Sequence, residues 1–249
     1  MTPLITHGVD YSGAKGGGGS KIVIATRDEQ GVISVRRGAT RQDLLQMIRS
    51  ANVDGNRHLW RIDAPISLPE SVFAAHGIPL DWLTMAGWMS TFDSARDWRR
   101  ALRAVDRKER KRTCDRAARA PLAPMNLRVF KQTWTAVCEL LQPLAEEGFH
   151  IAPVHSTESS SILTEACPAS VLDRIGESSR GYKGSDPAHV QRRSELCKVL
   201  LKAGLDIPSS AIRHAERDGQ GDVLDALLLL LPPVQEVVPR EALFEGWIW

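Results

Sequence analysis

The chain has 249 residues, 43% hydrophobic and 25% charged, with a formal net charge of +2. These proportions are those of a globular protein able to bury a sizeable core, and they exclude a disordered or low-complexity chain. The near-neutral balance carries no global mark of nucleic-acid binding, so electrostatic recognition has to come from local clusters.

The first predicted element is a strand, "LITHGVD", residues 4–10. "KIVIAT" and "GVISVRR" follow as two further short strands rich in β-branched residues. "TRQDLLQMIRSA" has a Thr cap at Thr40 and apolar residues at helical spacing, so it predicts a helix. "HLWRIDAPIS" predicts the next strand, broken at Ala64-Pro65. Short links among the first three strands suggest an antiparallel meander, and the helix then allows a parallel crossover.

The character changes from residue 71. Trp82, Trp88 and Trp98 come close together, and "RRALRAVDRKERKRTCDRAAR" is strongly basic. The segment at about 71–125 reads as a basic helical insertion on a single domain spanning 1–249. "NLRVFKQTWTAVCELLQPLAEEG" predicts one long amphipathic helix, "FHIAPVH" a strand, and "SILTEACP" a strand ending at Pro168. The remainder, with "PAHVQRRSELCKVLLKAG" and "IPSSAIRHAERDGQGDVLDALLLLLPP", is mostly helical.

Cys114, Cys138, Cys167 and Cys197 lie far apart with no CxxC pair, which argues against a zinc or redox site and for a reduced, cytoplasmic protein. No basic region followed by an apolar run opens the chain, so no secretory signal is expected. The apolar run "ALLLLL" is too short to span a bilayer.

Four acids fall at comparable places. Asp10 ends the first strand, Asp63 ends "LWRID", Glu165 sits near a strand end, and Asp225 lies on a late helix with Asp222 three residues before it on the same face. Clustered carboxylates are costly unless a cation compensates them, and hard ions such as Mg2+ or Mn2+ prefer oxygen ligands. Two such ions about 4 Å apart clamp the attacking water and the leaving oxygen of a phosphodiester. Each acid also has a plain reading: a turn cap for Asp10, an exposed strand end for Asp63, an arginine partner for Glu165, a helix cap for Asp222.

"GVDYSGAK", "RIDAPISLP", "RTCDRAARAPLAPMNLRVFKQTW", "TEACPASVL", "GYKG", "GDVLDAL" and "EGWIW" together resemble the family catalogued as domain of unknown function 429, over Gly8 to Trp249. That family is grouped with ribonuclease H-like folds and described as predicted nucleases. The resemblance implies an α/β fold with a mixed five-stranded sheet, three antiparallel strands then two parallel ones, flanked by helices. It places Asp10, Asp63, Glu165 and Asp225 as catalytic carboxylates and metal ligands, with Asp222 a neighbour or alternate ligand. "DVLDAL" is similar to the last acidic motif of Holliday-junction resolvases. Where related sequences often carry Glu, an aromatic residue and Pro, this chain has Glu165-Ala166-Cys167-Pro168.

The glycine-rich stretch "GAKGGGGSK" fails the phosphate-loop pattern, because Lys21 is followed by Ile22 and by a strand. It reads as a flexible hairpin tip, or as backbone amides that approach phosphate beside Asp10 with Ser12 and Lys15. In the basic run, Arg107, Lys108, Arg110 and Lys111 are candidate backbone-phosphate contacts, as is Lys183 in "GYKG"; a solvated helix is the plain alternative. Trp88 and Trp98 are candidates for base stacking or for the core, and His155 for a proton shuttle or a strand end. The expected function is an Mg2+- or Mn2+-dependent nuclease acting on DNA or RNA, as a monomer or a homodimer. The alternatives are an actin-like nucleotide phosphotransferase using the glycine loop, or a non-catalytic nucleic-acid-binding protein.

Overall fold

The computed structural model describes residues 4–14, 21–233 and 237–249. It opens with strands β1 (Leu4–Asp10), β2 (Ile22–Arg27) and β3 (Ile33–Ala39), helix α1 (Arg41–Ala51) and strand β4 (Arg57–Asp63). Thr40 caps α1 through a reciprocal pair with Asp43, as its sequence position predicts. Four helices follow, α2 (Glu70–Ala75), α3 (Trp82–Ser90), α4 (Ala95–Val105) and α5 (Thr113–Ala117). The predicted long helix is α6 (Phe130–Thr135), a π-helical stretch (Ala136–Leu141) and α7 (Gln142–Glu146). Strands β5 (His150–Ala152) and β6 (Ser161–Glu165) precede α8 (Pro168–Arg174), α9 (Pro187–Lys202), α10 (Ser209–Arg217), α11 (Asp222–Leu228) and α12 (Ala242–Glu245).

The six strands form one mixed sheet in the order β3-β2-β1-β4-β6-β5. β1, β2 and β3 make the expected antiparallel meander, and β4, β6 and β5 continue parallel to β1. The sheet therefore has three parallel additions rather than two. The extra strand is β5, three residues long and confined to the edge beside β6. It falls inside the stretch "FHIAPVH" that the sequence predicts as a strand; the count of five is what the resemblance implies.

Period-2 alternation divides the core into two layers. Val9, Ile24, Trp60, Ile62 and Leu163 face a cluster that includes residues of α1, α3, α4 and the helix through residues 130–146. Val23 and Ala25 face the other cluster, built from α8 to α11. Trp82 and Trp98 of the 71–125 segment are buried in the first cluster, so its helices share the sheet's core. Trp98 is thereby excluded from base stacking, and Trp88 packs edge-on against Phe92 with ring centroids 5.2 Å apart.

Two features press α11 onto the sheet. A side chain at Gly8 of β1 would collide with the Ala226 carbonyl oxygen, so only glycine permits this approach. From β4, buried Arg61 donates to the carbonyl oxygens of Leu229, at 2.9 Å, and Leu231, just past the helix. These are the orphan carbonyls at a helix end, where a guanidinium fits both hydrogen bonding and the helix dipole. Among the described residues, no helix is long and apolar enough to cross a membrane.

Candidate metal centre

Asp10 and Asp63 end adjacent parallel strands and are direct partners in the register. Side chains paired in register point to the same face, and Asp63 stands two residues after Arg61, so both carboxylates turn toward α11. Asp225, buried in the first turns of α11, meets them there. One carboxylate oxygen from each of Asp10, Asp63 and Asp225 lies within 4.8 Å of the other two. Gly221, the residue before α11, has a left-handed φ of 82°; a Cβ there would press on the Tyr182 ring.

The loop before α9 supplies the partners of Asp225. Tyr182 donates its hydroxyl to Oδ1 at 2.8 Å, and Lys183 donates Nζ to Oδ2 at 2.6 Å. Buried Arg193 on α9 holds that loop by donating to the carbonyls of Tyr182 and Gly184. On the other side of the cleft, Gln132 donates its amide to the backbone carbonyls of Tyr11, at 2.8 Å, and Asp63, tying the two strand ends together. Among the described residues, no hydrogen bond reaches the carboxylate of Asp10 or Asp63.

The electrostatics follow from that arrangement. Burial raises the Asp10 carboxyl well above its ordinary range, and Asp225 and Asp63 add to the rise. Asp63 is pushed up to about 8 by burial and then by Asp225. Asp225 is raised by burial against the opposing pull of Lys183 and Tyr182. Asp222, half-buried on the same helix, is raised by burial and by Asp218. Lys183 is held above its usual value: burial works against its charge, but Asp225, Asp10 and Asp63 overcome it.

Glu165 does not join this trio. In the register it pairs with Ile62, not Asp63, so its carboxylate turns to the other face of the sheet, toward Arg112, although it still borders the cleft that holds the trio. There buried Arg112 donates Nη1 to Glu165 Oε2 at 2.7 Å and Nη2 to Oε1, while the Ile66 N–H donates to Oε2 at 3.1 Å. Arg112 also clasps Asp115, with Nη2 2.7 Å from Oδ1. The plain reading of Glu165 as an arginine partner describes these contacts.

The cleft around the trio has a volume of about 660 Å³. Ser12, Asp222 and Lys183 line it; so do Lys21, Arg128 and Arg180, which the sequence did not single out. Lys15 and the glycines at 16–19 lie outside the described residues. The basic run is not one surface. Arg110 pairs with Asp106 at 2.7 Å, and Lys111 donates Nζ to the Ala120 carbonyl at 2.6 Å. Lys108 and Arg110 border a pocket of their own, and Arg107 faces a separate groove beside α4. None of these four lines the acidic cleft. His155 pairs with Ile151 through the backbone away from the cleft, and Ser159 and Ser160 bind Asn52, at 2.8 and 3.0 Å from its Oδ1.

The donor set suits a hard divalent cation. All three converging ligands are carboxylates, and neither histidine nor thiolate stands among them. Cys167 borders the cleft, but burial and Asp63 push its thiol up to about 11, so it stays neutral at physiological pH.

The model of the family described as "Protein of unknown function (DUF429)" matches residues 8–232. No curated protein and no solved structure matches the chain. The chain belongs to that family.

Proposed function

We propose that this member of the DUF429 family is a divalent-metal-dependent nuclease that hydrolyses phosphodiester bonds in DNA or RNA. One observation carries the reading: three carboxylates converge in an open cleft with, among the described residues, a single partly exposed lysine paired to them. Such a group is unfavourable as a purely structural device, because like charges raise one another's pKa. A cation supplied from outside relieves it.

Asp10, Asp63 and Asp225 would hold magnesium or manganese, which supplies activation of the attacking water and charge neutralisation at the phosphate. Tyr182 fixes the rotamer of Asp225. Gln132 fixes the spacing of the two strand ends and so of Asp10 and Asp63. Lys183 sits where it can leave Asp225 for a non-bridging phosphate oxygen. Arg128, Arg180 and Lys21, all exposed along the cleft, attract a polyanion that the acids alone would repel. Glu165 acts indirectly, by anchoring Arg112 beneath the end of β6.

Labelled DNA and RNA of several architectures, incubated with manganese, test this directly. Asp10→Asn should lower cleavage by about a hundredfold or more with an unchanged circular-dichroism spectrum, since the amide keeps the shape and removes the charge. Equal cleavage by the variant and the parent would overturn the reading.

A further inference from the structure

A second charged feature lies outside the acidic cleft. Helix α4 buries Ala95, Trp98 and Leu102 against the core. Its arginines, Arg96, Arg99, Arg100 and Arg103, recur at spacings of three and four, which places them along one stripe. With Arg107 just past the helix they line a groove of about 560 Å³. Arg99 is set in place rather than loose: its Nε donates to the Met125 carbonyl at 3.0 Å, and its guanidinium lies 5.2 Å from the Phe130 ring centroid.

The stripe is undercompensated. Arg100 pairs with Asp97 at 2.9 Å, and Arg99 and Arg103 share Glu109, at 2.9 and 3.8 Å. Among the described residues, Arg96 and Arg107 have no ion-pair partner. Five arginines therefore face two carboxylates. A helix laced for solubility alternates the two signs at these spacings; a single-sign stripe repels itself and is relieved by an external polyanion.

The groove adjoins the acidic cleft. Leu127 and Phe130 face the groove, whereas Arg128 and Val129, between them in the chain, face the cleft. One turn of chain is thus the wall between the two, and exposed Arg128 stands on it.

We propose that the α4 groove is a second nucleic-acid contact: it grips the sugar-phosphate backbone of a strand whose scissile phosphate lies over Asp10, Asp63 and Asp225. This rests on the nuclease reading of the cleft for its chemistry. The grip itself is independent of hydrolysis. Guanidinium groups bind phosphate through paired N–H donors and carry no base information, so the contact is indifferent to sequence. The shared element in DNA and RNA is the phosphodiester backbone, and both should bind.

The test uses the full chain, fluorescein-labelled (dT)30 and (rU)30, EDTA to prevent hydrolysis, and anisotropy at several salt concentrations. A variant with Arg96, Arg100, Arg103 and Arg107 changed to Gln keeps the Arg99 anchor. It should bind both strands at least about tenfold more weakly. Its plot of log affinity against log salt should flatten by up to about 3, at ~0.7 for each phosphate of a single strand that is no longer neutralised. Its rate on bis(p-nitrophenyl) phosphate with manganese should match the parent, because that ester is too small to reach the groove. The milder Arg96→Gln, Arg107→Gln pair breaks no ion pair among the described residues, so it tests the same flattening without endangering the fold.

Unchanged affinity and slope in a folded variant would overturn the groove as a nucleic-acid contact. So would a variant that keeps its hold on both strands and loses only binding to phosphatidylserine vesicles, which would assign the stripe to a membrane surface. If the parent cleaves no phosphodiester but the variant still releases both strands, the grip stands and the nuclease reading of the cleft falls.

Discussion

Two acidic groups border one cleft at the same end of the sheet, their carboxylates turned to opposite faces, and they are treated in opposite ways. On the face toward α5, every carboxylate oxygen of Glu165 and Asp115 accepts from Arg112 or from backbone N–H groups. On the face toward α11, the carboxylates of Asp10 and Asp63 receive no hydrogen bond among the described residues, and that of Asp225 has Tyr182 and Lys183. The first group is complete within the protein. The second is incomplete, and its carboxyls are raised by burial and by one another. Acids with a structural role are satisfied internally; acids left unsatisfied in an open cleft ask for a ligand.

The contrast breaks most visibly under substitution. Arg112→Met should destabilise the protein by about 3–5 kcal/mol, because it strands Glu165 and Asp115 as buried charges without a partner. Asp10→Asn in the other group should leave the metal-free protein as stable as the parent or more so, since it removes a repelling charge. Urea unfolding of the two variants side by side is the measurement. Equal losses would erase the distinction between the two groups.

Ligand addition sharpens it from the other direction. Manganese at a hundred times its dissociation constant should stabilise the parent by about 2.7 kcal/mol. Asp63→Asn should lose nearly all of that gain, while Glu165→Gln, if it folds, should keep it. Thermal melts with and without manganese separate the two outcomes.

The two groups should also differ with pH. Asp63 titrates near 8 in the folded chain and near the ordinary carboxylate value when unfolded, so the folded state binds more protons between the two values. Its contribution to stability is therefore fully present at acid pH and declines as pH rises toward about 8. The slope is at most about 1.4 kcal/mol per pH unit for one carboxylate. Manganese binds the ionised form, so its affinity should rise over the same window. In Asp63→Asn the metal-free decline should shrink. An unchanged pH dependence would show that Asp63 is not the titrating group.

The trio is legible in the sequence because each acid borders an apolar run, after it at a strand end for Asp10 and Asp63 and before it in a buried helix for Asp225, where charge is unexpected. Asp10, Asp63 and Asp225 carry that mark, and β1 and β4 place the first two in register. Glu165 carries the same mark, yet a one-residue offset against β4 turns it to the other face, and register between distant strands is invisible in local pattern. Its partner Arg112 is hidden inside a basic run whose composition suggests uniform solvation. Only the fold reveals that this one arginine of the run is buried while Arg96, Arg100 and Arg103 face outward. Gln132 and Tyr182 lie in stretches that carry the resemblance, but nothing there assigns them a role, since their roles rest on backbone carbonyls and on a carboxylate brought close by folding. The sixth strand is present in the sequence as "FHIAPVH"; the five-stranded count comes from the resemblance.

The smallest effect on stability should come from Lys183, and it asks whether the unsatisfied group is partly satisfied already. Its side chain is 53% exposed while Asp225 is 2% exposed, so the pair is screened from one side. Lys183→Met should change metal-free stability by about 1 kcal/mol or less. The ligand readouts should move further, and in opposite directions. At pH 9, above the Asp63 titration, removing a competing cation from Asp225 Oδ2 should tighten manganese binding, measured by calorimetry. Cleavage should nevertheless slow, because the ammonium that would meet the phosphate is gone. At pH 6 manganese binding should weaken instead, since Lys183 lowers the carboxyls of Asp10, Asp63 and Asp225 and its loss keeps them protonated. Tighter binding with undiminished cleavage would make Lys183 a plain counter-ion of Asp225. Unchanged binding at both pH values would show that Asp225 Oδ2 is not a ligand atom, and the trio would reduce to Asp10, Asp63 and the other oxygen of Asp225.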